Sequence, residues 1–91
     1  PINDLCLFVS AVTLSLMECF DERKINWLLD GLRHTHPQIN QRALVGLVIT
    51  LHLYPTRITL YPELEARISL FREDPDFSKQ VNRVYIQLLR R

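Results

Sequence analysis

Glycine is nearly missing from this chain, with only Gly31 and Gly46 among 91 residues. Two isolated glycines cannot build a phosphate-cradling loop, and neither H-E-x-x-H nor C-x-x-C occurs. With so little glycine and no run alternating polar with apolar residues, β-strands have little support. An excess of either charge is missing too. Eleven Lys and Arg against ten Asp and Glu give a net charge of +1, so nothing pulls the chain in bulk toward nucleic acid or an anionic membrane. Cysteine is limited to Cys6 and Cys19. On one helix, that separation holds their Cα atoms about 20 Å apart, too far for a mutual disulfide. Both read as core or interface thiols, and free thiols fit a reducing, cytoplasmic setting. No basic segment precedes the first apolar run, so no secretory signal is visible. Pro1 stands where an initiator Met is expected, which points to a piece of a larger protein.

What the chain does have is apolar residues, 47% of the total, arranged around residues 37–54. At helical spacing Ile39, Ala43 and Leu47 make one face, and Leu44, Val48 and Leu51 a second. Gly46, Ile49 and Leu53 close most of the rest, leaving a narrow polar strip of Gln38, Gln41, Arg42 and His52. A helix apolar on almost every side is normally enclosed by neighbours. It is not expected to span a membrane, because Gln38, Asn40, Gln41 and Arg42 polarise its first turns. Pro37 suits the first helical position, with Thr35 or His36 as cap and Thr the better capping type. Pro55 ends the helix.

The other elements follow from similar signals. A first helix over residues 5–20, capped by Asn3 or Asp4, carries Leu5, Phe8, Val9, Val12 and Leu16 on one side. Leu7, Ala11 and Leu14 lie on the other, which predicts a helix sandwiched between neighbours or a docking face. Asp21 caps a second helix running to about His34, with Ile25, Leu28, Leu29 and Leu32 as its stripe and Trp27, Gly31 and His34 on the reverse. A turn at 34–36 makes the second and third helices an antiparallel hairpin. Pro62 opens a fourth helix to about Arg72, led in by Leu60 and Tyr61, with Leu64, Ile68 and Phe71 inward. Asp74 and Pro75 open a fifth that runs to the end. Its stripe is Phe77, Val81, Val84, Tyr85 and Leu88, broadened by Ile86 and Leu89. Lys79, Arg83, Arg90 and Arg91 are mostly its polar face. The fold class is therefore all-α, one domain of about five helices over residues 1–91.

Residues 25–47 resemble a HEAT repeat: a helix, a short turn, a proline, then a helix with Ile39, Ala43 and Leu47 four apart. Small Ala43 lets the two helices approach closely. The chain departs from that pattern in the turn, where Thr35 and His36 replace the usual acid. It also departs after Ile39, where Asn40 replaces the usual base and Arg42 stands beside Ala43. A weaker similarity links the chain to helical segments of large bacterial proteins of unassigned function with tetratricopeptide-type arrays. The resemblance implies a right-handed α-α superhelix fragment whose usual work is binding proteins.

No motif implies a cofactor. His34 and His36 lack an adjacent Cys or acid at ligand spacing, so they read as turn and cap residues rather than metal ligands. His52 reads as a partly buried, satisfied histidine. The acids at 21–22 and 73–74 have helix-boundary roles, and no base–nucleophile arrangement suggests an enzyme. Tyr54, Tyr61 and Tyr85 read as packers at helix ends. The expected function is non-enzymatic: packing against flanking repeats of the same chain, self-association, or binding a protein partner. Candidate partner-binding residues are Trp27, Arg33, His34, Arg42 and Arg57. Trp27 faces away from its helix's stripe, as a packing residue or an exposed anchor. The alternative function is nucleic-acid binding through residues 31–60, which hold Arg33, Arg42, Arg57 and all three histidines but no acid.

Overall fold

A computed structural model describes residues 1–89. The expected polar-face positions Arg90 and Arg91 lie outside these, as does the side chain of Leu89. Among the described residues there are five α-helices and no strand: α1 (Ile2–Glu18), α2 (Glu22–Leu32), α3 (Pro37–Leu53), α4 (Pro62–Arg72) and α5 (Pro75–Leu89). A single 3-10 turn, Arg57–Leu60, fills the break between the two prolines and buries Ile58. No helix among these residues is long and apolar enough to cross a membrane.

α3 is the hub. It packs most extensively on α1 and α2 and reaches α5 as well. Ile39, Ala43, Leu44, Gly46, Leu47, Val48 and Thr50 are buried along it. Two close approaches set the spacing of its neighbours. A Cβ placed on Gly31 of α2 would stand 2.9 Å from the Ala43 Cβ. One placed on Gly46 would fall inside contact distance of the Thr13 hydroxyl of α1. Gly31 thus faces the central helix, rather than lying on the far side of α2 as expected. Thr13 and Thr50 are buried yet satisfied, since each hydroxyl donates to a backbone carbonyl one turn back, Val9 at 3.2 Å and Gly46 at 2.8 Å.

Local chemistry explains most of the boundaries. The Asp21 carboxylate accepts from the backbone N–H groups of Arg23 and Lys24 at 2.9 and 3.4 Å. The Asp74 carboxylate accepts from Asp76 N–H at 2.9 Å. Pro37 and Pro62 sit in the first turns of their helices. At α3 the cap is His36, whose Nδ1 accepts from Gln38 N–H at 3.2 Å, and not Thr35. Position decides this over type, because His36 immediately precedes Pro37. α1 begins earlier than expected. Its first helical bond runs from Leu5 N–H to the Pro1 carbonyl, so Asn3 and Asp4 lie inside the first turn instead of capping it. α2 ends at Leu32, two residues short of His34.

Long-range ties fix α4 and the helix ends. The Arg67 guanidinium donates to the Asn26 carbonyl and side-chain oxygen, both at 3.1 Å, and to Asp30, joining α4 to α2. The Tyr54 hydroxyl donates to the Leu16 carbonyl at 2.7 Å, tying the end of α3 to the last turn of α1. Phe20 stands edge-on to Tyr54 and stacks on Tyr61, with ring centroids 5.3 and 5.1 Å apart. Phe71 and Phe77 lie 5.5 Å apart where α4 meets α5.

Several placements differ from the periodicity reading. α1 is not sandwiched: Cys6, Val9, Val12, Thr13 and Leu16 are buried, while Phe8 points outward. Cys19 is exposed at the end of α1 and only Cys6 joins the core. His52 is exposed and edge-on to Tyr85, which lies in the C-terminal third of α5 and is itself exposed. Leu60, expected to lead into the core of α4, is exposed, as are Ile86 and Leu88. A helix apolar on both sides offers no signal for which side meets a neighbour, and α1 is the case in point.

Candidate interaction surface

The outer face of α1 is the largest run of uncovered apolar side chains on one helix. Leu7 is 65% exposed, Leu14 63%, Phe8 55% and Met17 50%, with exposed Ala11 between the two leucines. These positions recur at three and four residues, so they form one stripe along the helix. Single exposed apolar residues need no explanation, but a contiguous stripe of this kind makes this face the candidate surface. Beside it, α1 and α3 leave a shallow groove of about 290 Å³, walled by Leu14, Met17, Val45, Gly46 and Ile49.

Trp27 is half-buried and borders this surface. Its ring stands edge-on to Phe8, with centroids 5.0 Å apart and planes at 88°. It packs within the fold, against a residue that is itself exposed. Arg42 lies at the other margin, where its guanidinium donates to the Cys6 carbonyl at 3.2 Å and the Ser10 hydroxyl at 3.1 Å. Two of the five expected partner-binding residues are thus brought to the α1 face. The other three are elsewhere. Arg33 lies over the Phe71 ring at 5.4 Å and Arg57 over Phe20 at 4.9 Å. His34 is exposed in the turn, where its Nδ1 accepts from His36 N–H at 3.0 Å and its carbonyl accepts from the Asn40 amide at 3.1 Å. The three arginines are therefore each committed to a different element. Arg42 is in the first turns of α3, and Arg57 follows its end.

Two further concavities involve α5. One of about 440 Å³ lies between α3 and α5, lined by Val48, Leu51, His52, Pro55, Val81 and Tyr85. The other, about 240 Å³, is lined by Leu32, Leu44, Phe71 and Phe77 together with Asn40, Asp74 and Gln80. Among the described residues no three His, Cys, Asp or Glu side chains converge as metal ligands do. Neither concavity brings a histidine beside a carboxylate.

Sequence reasoning missed Arg67, whose ties to Asn26 and Asp30 are the main polar link between α2 and α4. Its only sequence-level signal is a base in the middle of a short helix, two residues after Glu65. Comparison with family models, with curated proteins and with solved structures found no match to the chain.

Proposed function

We propose that the chain is a helical-repeat interaction domain, built like a HEAT repeat, and that it binds protein through the outer face of α1. The observation that carries this reading is the continuous stripe of Leu7, Ala11, Leu14 and Met17, left open while the opposite side of the same helix is fully buried. The α2–α3 hairpin supports the repeat assignment. A four-residue turn joins the helices, Pro37 opens the second, and Gly31 against Ala43 allows the close packing that stacked helix pairs use. In such arrays each pair leaves a face for its neighbour, and here that face belongs to α1.

A photo-activatable side chain placed at Leu14 tests this in the protein as its cell makes it, with Glu63 of α4 as an exposed control. Adducts to protein at position 14, with few at 63, are the expected result. Equal labelling at both positions, or none at 14, would rule the reading out.

A further inference from the structure

We propose that α5 is a strap that swings away from α3 and α4 as an intact helix, about a hinge at residues 73–74, while α1 to α4 stay folded. The proposal is independent of the reading of α1.

α5 is the helix least tied to the rest. It is 15 residues long, yet Phe77 and Val84 are its only buried side chains among the described residues. Every other helix is held by a long-range polar bond. Arg42 and Tyr54 join α3 and its end to α1, Lys24 of α2 donates to the Ser15 hydroxyl of α1, and Arg67 joins α4 to α2. Among the described residues no side-chain hydrogen bond or ion pair joins α5 to another helix. Its hold is apolar and aromatic: Phe77 against Phe71, Tyr85 edge-on to the exposed His52, and Val84 with half-buried Val81.

That hold is also incomplete. The 240 Å³ cavity lies beside Phe77 and Gln80, and the 440 Å³ cavity beside Val81 and Tyr85. The two follow one another along both helices, the first at Asn40 and Leu44 of α3 and the second at Val48 and Leu51. Protein interiors leave few voids larger than a water molecule, and side chains facing a gap lose their dispersion partners. An element with few buried contacts opens at a lower free energy than the whole molecule unfolds.

The chain supplies the hinge. The Glu73 and Asp74 N–H groups donate back to the Leu70 and Phe71 carbonyls at 3.3 and 3.1 Å, which closes α4. Pro75 has no N–H, so the helical ladder cannot run on through it. α5 starts with bonds of its own, from Asp76 N–H to the Asp74 carboxylate and from Ser78 N–H to the Asp74 carbonyl. Rotation between residues 73 and 74 therefore costs α5 none of its first-turn bonds. Opening joins the two cavities into one groove and uncovers Leu44 and Val48, both 2% exposed when α5 is closed.

Hydrogen exchange of the whole chain, followed residue by residue where the rate reports the open fraction, tests the proposal. The amides of Gln80 to Val84 should exchange at one common opening, at least tenfold more populated than that of Leu44 to Val48. Ile25→Val, in the core of α2 and away from the strap, then separates partial from global opening. It should speed exchange in α2 and α3 about fivefold, since the cavity it leaves destabilises the folded core. It should leave Gln80 to Val84 unchanged, because the core is intact whether α5 is open or closed. Val84→Ala should speed exchange in α5 severalfold, because its burial is lost on opening. Amides of α5 that exchange as slowly as those of α3, or that Ile25→Val speeds equally, overturn the proposal. So does a graded rise in rate from Gln80 toward Val84, which is fraying from the helix end.

Discussion

Gly46 shows how much a single hydrogen atom in place of a methyl can decide. In an exposed helix, Gly→Ala gains roughly 1 kcal/mol. At Gly46 the new Cβ would press on the Thr13 hydroxyl and stand 3.3 Å from the Leu28 Cδ1. The expected outcome for Gly46→Ala is a net loss of about 1–3 kcal/mol in urea unfolding, as overpacking typically costs. Adding Thr13→Ala should recover a good part of that loss, a non-additivity expected of side chains in contact. Gly31→Ala should also destabilise, by a similar ~1–3 kcal/mol, because the opposing Ala43 Cβ cannot rotate out of the way. The sequence shows Ala43 as a small residue suited to close packing. It does not show that Gly31 is what it meets, since periodicity tells which residues share a face and not which neighbour that face receives.

At the scale of the element, the helix starts with a local chemical signal are the ones that sequence reading places well. Asp21, Asp74, Pro37 and Pro62 act within three residues of themselves, so their effect is written in the chain. The cap of α3 is a finer matter. His36→Ala should cost about 1 kcal/mol by loss of the bond to Gln38 N–H, whereas Thr35→Ala should change stability by no more than a few tenths. Thermal unfolding of the two variants distinguishes these caps. The tie between α4 and α2 lies beyond local reading, because Arg67 and Asn26 are 41 residues apart in sequence. Arg67→Ala should destabilise by about 1–2 kcal/mol, having removed charge-assisted bonds to a backbone carbonyl. Asp30→Asn should cost at most about 0.5 kcal/mol, since Asp30 is 66% exposed and water screens its ion pair. α1 has no capping side chain, and its start could not be read from residue types.

At the scale of the molecule, α3 is the enclosed hub because its apolar surface exceeds what one neighbour can cover. That much is legible in residues 37–54. The stripe on α1 is only half legible. The first helix is visibly apolar on both sides, yet the choice between Leu5, Phe8, Val9, Val12 and Leu16 and the side actually buried is made by the crossing with α3. Cys6, Thr13 and Val9 turn inward there, and Phe8 turns outward to Trp27. If the outer face serves assembly and not folding, charging it should leave the fold intact. The pair Leu7→Glu and Leu14→Glu should shift unfolding by no more than about 0.5 kcal/mol per site, as exposed positions do.

The most direct measurement is hydroxyl-radical footprinting of the protein in its native assembly against the isolated chain at high dilution. Phe8, Leu14 and Met17 should react rapidly in the dilute chain and be protected in the assembly, while exposed Leu60 and Leu70 react equally in both. Protection at Leu60 or Leu70 with the α1 stripe still fully reactive would contradict the account.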